Sequence, residues 1–499
     1  MTETLDRADI QGIVARGYRG LRYARFTIFC CDGAPAIHAV LGWLLPRITP
    51  AARRFSAHTA AHVAFTPAGL RRLGLPEEAV KGFSLEFLAG MSAPNRSRFL
   101  GDVGESDPRG WAWGGPTGPL IDCLIMLYAS TAELLDEQQA ELAQQLAAAG
   151  TRAVAVLDTL QRQDYEPFGF RDGISQPPVH GLPGASAGRR SVPTGEFLLG
   201  YRNGYRQLTD RPLLPLSSDP EQLLPRDPGG TDRADLGRNG TYLVLRQLEQ
   251  DVGGFWRYVA AVTRRPDGSD SREAQDAFAA KMMGRWRSGA PLVQAAHQDN
   301  PALANSNDFG YHRLDPLGLA CPLGAHVRRA NPRDSLDPQP GTDASLEVNS
   351  LHRLIRRGRS YGPAGGSPAV RASGSSVPNG PGDASGSGGA AARRPNEATG
   401  LYFMCLAANL ARQFEFVQHS WLNNPTFKGL YDGSDPIAGS RQSRGMTYTV
   451  PARPVRRRYH DLPQFVRTRG GAYFFLPSIS ALRYLAKLPG SAASGPRTG

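Results

Sequence analysis

The stretch from residue 119 to 160, PLIDCLIMLYASTAELLDEQQAELAQQLAAAGTRAVAVLDTL, decides the fold class. Pro119 to Tyr128 is a near-continuous apolar run closed by small polar residues, which reads as a buried strand. Thr131 can cap a helix, and from there to Ala149 leucines recur at helical spacing among Glu and Gln until Gly150 stops it. Arg152 to Leu160 returns as a strand. Upstream, Leu21 to Cys31 is rich in strand formers and ends at a CDGAP turn, and Pro35 to Ile48 has helical spacing. The order is therefore strand, helix, strand, helix, strand.

Residues 177 to 235 are loop-rich, with many Pro, Gly and Asp. A second run then begins: Gly240 to Leu248 as a strand, Glu249 to Val262 as a helix, Gly400 to Ala407 as a strand and Leu410 to Trp421 as a helix. Both runs have a ferredoxin-like α+β rhythm, without a repeat at the level of residues. The expected organisation is a lead over 1–20, a first α+β domain over 21–200 and a second over 201–488. Residues 363 to 399 and the tail 489 to 499 are mostly Gly, Ser, Ala and Pro, too poor in apolar residues to offset the entropy of ordering, and are expected to be disordered.

At 499 residues with 40% apolar and 20% charged side chains, the chain can bury a large core. The net charge of +12 raises the question of a nucleic-acid partner, but lysine occurs only at 81, 281, 428 and 487, and the arginines are scattered rather than clustered with aromatics. That pattern matches a GC-rich coding bias and argues against nucleic acid. No apolar run approaches the roughly 18 residues needed to span a membrane. Met1 to Ile10 lacks a charged-then-apolar export pattern. Cys30, Cys31, Cys123, Cys321 and Cys405 form no CxxC pair, which argues against zinc and for free thiols in a reducing compartment. A cytoplasmic protein without membrane partners is the expectation.

Four blocks can carry chemistry. In Gly169-Phe-Arg-Asp172-Gly173, two glycines bracket an acid and allow a flat ligand to approach the backbone; alone, an Asp-Gly pair is most often a turn. In GAHVRRANPR, His326 follows small residues and precedes Arg328, Arg329 and Arg333. That pairing suits haem, with an imidazole for the iron and cations for the propionates, although a solvated basic turn has the same composition. In HRLIRRGRSYG, one buried arginine over a metal could polarise a bound peroxide. In GLYFMCLA, Leu401 and Phe403 share one strand face and could wall an apolar pocket.

In order and spacing, these blocks (GFRDGISQP, GAHVRRANPR, HRLIRRGRSYG and GLYFMCLAANLARQFEFVQ) resemble the dye-decolourising peroxidases, in particular their longer bacterial members. The resemblance spans about residues 8 to 485, apart from the Gly/Ser-rich stretch. It implies two ferredoxin-like domains of a dimeric α+β barrel type, with haem b in the second. The implied activity is a peroxidase that uses hydrogen peroxide to oxidise dyes and phenolics through a ferryl intermediate, possible as a homo-oligomer. Matched by position, His326 is the proximal iron ligand, Asp172 the distal acid and Arg356 the distal arginine. Arg329 and Arg333 stand near the propionates, and Leu401 and Phe403 form the distal wall. Where the family is expected to hold an acid behind the imidazole, this chain has Asn409, which implies a less anionic ligand unless Glu415 substitutes. Trp421 and Tyr402 are candidates for passing electrons to bulky reductants. The alternative from another class is a haem carrier or iron-release protein, which would need neither Asp172 nor Arg356. With a carboxylate in place of histidine as the base, turnover is expected to peak at acid pH; a pH–rate profile with its maximum above neutral would overturn that assignment.

Overall fold

The computed structural model describes residues 4–53, 58–160, 164–183, 191–363, 398–440 and 446–489. In the first half, β1 (Tyr23–Cys31), α1 (Ala34–Leu44), β2 (Thr59–Phe65), β3 (Cys123–Ala129), α2 (Ala132–Ala148) and β4 (Thr151–Asp158) follow in chain order. β3 is buried along its whole length, as its unbroken apolar run requires. Thr131 caps α2 by accepting the Leu134 amide, and Gly150, at φ +66°, turns the chain into β4.

The second half contributes β5 (Thr241–Gln250), the short β6 (Ile355–Arg356) and β7 (Arg359–Tyr361), then β8 (Gly400–Ala407) and β9 (Val466–Leu476). Between β5 and β6 lie α3 (Val252–Thr263) and α4 (Arg272–Met283). After β8 the chain winds with π-type spacing over Ala411–Glu415 and Val417–Leu422. The sheet runs β4-β1-β3-β2-β9-β5-β8-β6, with β7 also on β8, and every pairing is antiparallel. Numbered within its own half, each set of strands has the order 4-1-3-2, the ferredoxin-like α+β arrangement. The halves meet at β2 and β9, where Phe65 pairs with Phe475.

The sheet is covered on both faces. On one side α1, α2 and the C-terminal helix α5 (Ile479–Lys487) pack over Phe29, Val63, Ile125 and Phe475. On the other, Ile10, Ile13 and Val14 of the N-terminal lead close over Phe26, Leu124 and Leu245. The lead is held there by Gln11, whose side-chain amide donates to the Val63 and Pro477 carbonyls and accepts from the Val63 amide.

Two central strands escape a reading of hydrophobic pattern. β2 (TAAHVAF) is alanine-rich and contains a fully buried His62, while β9 (VRTRGGAYFFL) opens with arginines and shifts register at Gly470. The helix expected from Glu249 starts instead at Val252, because Asp251 caps it through the Gly254 amide and β5 continues to Gln250. The helix expected over 35–48 ends at Leu44 and tightens to 3₁₀ over Leu45–Arg47. Apart from residues 363, 398 and 399, the Gly/Ser-rich stretch lies outside the described residues, as does the tail beyond 489. Among the described residues, no helix is long and apolar enough to cross a membrane.

Candidate active site

The GxxDG block forms a small hairpin. Tyr165 bridges to Arg171, the Asp172 amide donates to the Asp164 carbonyl, and Gly169 makes the turn at φ +96°. Gly173, at φ +74°, places its amide 2.5 Å from Asp172 Oδ1, and Arg19 packs where a Cβ at 173 would stand. The two glycines are thus required by backbone angle and close approach.

Arg356 reaches the same place from a remote part of the chain, and the link is Gln176, 180 residues before it. Its amide accepts from the Arg356 backbone N–H at 3.0 Å and donates to the Arg356 carbonyl at 3.2 Å, as a neighbouring strand would. The Arg356 guanidinium lies 3.5 Å from the Asp172 carboxylate, and both side chains are 37% exposed, open to a cavity. The arginines around it do different work. Arg357 donates to the Ile13 and Val14 carbonyls, and Arg359 to those of Tyr18 and Leu21, tying the N-terminal lead down.

His326 begins a short helix, His326–Ala330, and lines the same cavity. Its Nδ1 is 3.0 Å from Asp435 Oδ2, which leaves Nε2 for a metal. Asp435 is fully buried, and its other oxygen accepts the Ile437 and Ala438 amides. Burial works against its charge, but His326, Arg329 and these amides hold its carboxyl below the usual range. Burial likewise opposes a proton on His326, and the Asp435 charge and hydrogen bond outweigh it.

The cavity has about 1900 Å³ of empty volume, its open mouth included, and its apolar walls come from Leu401, Phe403, Phe414, Val417 and Ile437. Arg333, Arg353 and Arg356 also line it. Arg353 has no carboxylate partner among the described residues; burial, then the Arg333 and Arg356 charges, pull it down to about 9. Arg333 rests 3.9 Å over the Phe309 ring and donates to Asn307 and Phe309, but its buried Nε has no partner. A flat apolar ligand with two carboxylates and a metal open to one imidazole matches this set, so the residues present fit haem.

Two of the expected cofactor contacts are corrected. Asn409 is not behind the imidazole: its side chain accepts from the Arg412 amide and caps the following turn, and the acid behind the imidazole is Asp435. Glu415 does not substitute either, since it binds Tyr473 and Arg96. Arg329 does not line the cavity. Fully buried, it donates to the carbonyls of Trp421, Asn424 and Gly433 and so braces the loop that carries Asp435. Trp421 and Tyr402 are both buried. The missed residues, Asp435, Gln176 and Arg353, gave little signal: Asp435 stands in a plain GSDP turn, 109 residues beyond its partner. Replacing Asp435 with Asn is expected to weaken haem affinity about 10–100-fold and to raise the iron's reduction potential. Asn409→Asp should leave both unchanged; haem titration and potentiometry of the two variants check this.

No family model matches the chain. It is 30% identical over 397 residues to a multifunctional dye peroxidase of an Amycolatopsis species, covering 76% of this chain and 74% of that one. It is 29% identical over 500 residues to a dye-decolorizing peroxidase of the fungus Exidia glandulosa, covering 96% and 87% respectively. Relatives are thus fungal as well as bacterial. A solved dye-decolorizing peroxidase in complex with 2,6-dimethoxyphenol superposes with a TM-score of 0.72 at 25% identity, covering 97% of this chain and all of the other. Another, described with an engineered heme pocket for asymmetric sulfoxidation, gives 0.74 at 25% identity, covering 96% and 100%. The chain belongs to the dye-decolourising peroxidase family.

Proposed function

We propose that in this haem-dependent peroxidase His326 holds the iron, Asp172 moves the proton of hydrogen peroxide and Arg356 stabilises the negative charge developing on the oxygen that departs as water. The observation that carries this reading is the Asp172–Arg356 pair, 3.5 Å apart on the wall of the cavity that His326 also lines. Haem, when bound, supplies the iron at which peroxide is reduced and holds the oxidising equivalents that organic reductants then remove.

The chain's own groups do the rest. The Asp172 carboxylate accepts the proton of the near peroxide oxygen and returns it to the far one. A guanidinium brings a positive charge without taking part in the proton transfer, so Arg356 can stabilise the oxygen that leaves as the O–O bond breaks. Gln176 fixes the Arg356 backbone, and the Gly173 amide holds one Asp172 oxygen. Arg353 and Arg333 would take the propionates, and Leu401 and Phe403 would exclude water from the peroxide face.

Dyes and phenolics are the proposed reductants, in keeping with the dimethoxyphenol complex of the relative. A first domain over 21–200 and a haem-holding one over 201–488 is also proposed, supported by the repeated strand order. The unpaired state of all five cysteines supports a cytoplasmic location. Asp172→Asn is expected to lower kcat/KM for peroxide by about 10²–10⁴-fold, and Arg356→Leu by about 10²–10³-fold, with haem content retained. If either variant consumes peroxide at the wild-type rate, its role is wrong. Haem binding without peroxide turnover in the wild type would favour a carrier.

A further inference from the structure

Six residues before Asp172 stands a carboxylate that the mechanism does not use. Glu166 lines the cavity at the base of the GxxDG hairpin. Its Oε1 accepts the Phe170 amide at 2.9 Å; its Oε2 accepts the Phe168 amide at 3.0 Å and Gln250 Nε2 at 2.9 Å. Its own backbone completes the turn, with the amide donating to the Phe170 carbonyl and the carbonyl accepting from Gly169. Gln250 is the last residue of β5, so the same side chain pins the hairpin to the central sheet.

Two amides of the turn thus point inward, to a place that a bound apolar ligand would keep dry. Each costs free energy if left without an acceptor. Only a side chain with two acceptor oxygens and no donor satisfies both amides and the Gln250 donor at once. Burial opposes this ionised state and pushes the Glu166 carboxyl up to about 7, against the pull of the Phe170, Gln250 and Phe168 donors. A glutamine here would turn an N–H₂ toward at least one of these donors, so the geometry of the three accepted bonds is specific to a carboxylate.

We propose that Glu166 is the positioning residue for Asp172: by clamping the hairpin from inside, it sets where the proton-accepting carboxylate stands over the haem. This rests on the proton-transfer role given to Asp172 above. Glu166 acts only through Asp172, and that sets the test. Cyanide binds ferric haem as the anion, so its association requires a distal group to take the proton of hydrogen cyanide, and no turnover is involved. Glu166→Gln presents an N–H₂ to at least one of the three donors whichever way it is turned. In the haem-loaded protein it is expected to slow cyanide association about tenfold, the loss of one hydrogen bond to a charged group. Haem content and the ferric absorbance spectrum should stay at wild-type values. Gln250→Leu, which removes the anchor but keeps the carboxylate, should give a smaller slowing and serves if the first variant does not load haem.

In an Asp172→Asn background, both substitutions should have no further effect. Unchanged cyanide association in Glu166→Gln would overturn the proposal, and so would an equal slowing with and without Asp172, since that marks a general loosening of the site. If Asp172→Asn alone leaves cyanide association unchanged, the proton-transfer role of Asp172 fails and takes the proposal with it. If that variant is slow but Glu166→Gln is not, only the positioning role fails.

Discussion

A guanidinium brings five N–H donors and a charge it cannot shed, so a buried one must find acceptors. This constraint organises the second half of the molecule. Arg329, Arg357 and Arg359 are turned toward main-chain carbonyls of segments distant in sequence, and Arg328 toward those of Asp315 and Cys321 just upstream. They act as struts between loops that have no sheet to join them. Arg353 and Arg356 are left facing the cavity, without carbonyls enough to satisfy them. The same residue type therefore builds the frame and furnishes the site, and the difference lies in what each side chain finds within reach.

The acids follow the complementary rule. Asp435 is ionised behind the imidazole because two amides and a histidine compensate its burial. Glu166 is half-buried among three donors and remains costly to ionise. Asp172 stands at the edge of the cavity, with one amide and one guanidinium beside it. Three carboxylates within one site thus occupy three electrostatic environments, suited to orienting a ligand, holding a loop and moving a proton.

Much of this was legible in the chain, for identifiable reasons. β3, α2 and β4 announce themselves because one long apolar run, one capped helix and one glycine stop are local signals. Asp172, His326 and Arg356 could be named only because their surrounding blocks resemble a family; no local feature brings residues 172 and 356 together. What failed did so where the partner is remote and the local sequence ordinary. Asp435 sits in a turn of common composition, and nothing in the motif around Gln176 signals that its amide pairs with a backbone 180 residues on. Asn409 misled because a side chain read as pointing inward caps its own turn instead. β2 and β9 were overlooked because alanine, histidine, arginine and paired glycines obscure the pattern of a buried strand.

The strand order also has a consequence for how the molecule comes into being. The first half pairs β1 through β4 within residues 23 to 158, so its sheet can close while the remainder is still being synthesised. β5 cannot do the same: its partner β9 begins at Val466, more than 200 residues later. Thr468 of that strand is itself part of the cavity wall. The wall of the pocket is therefore complete only once β9 has paired with β5. The wall that would meet the cofactor thus depends on the strand pairing that bridges the longest gap in the second half, from residue 250 to residue 466.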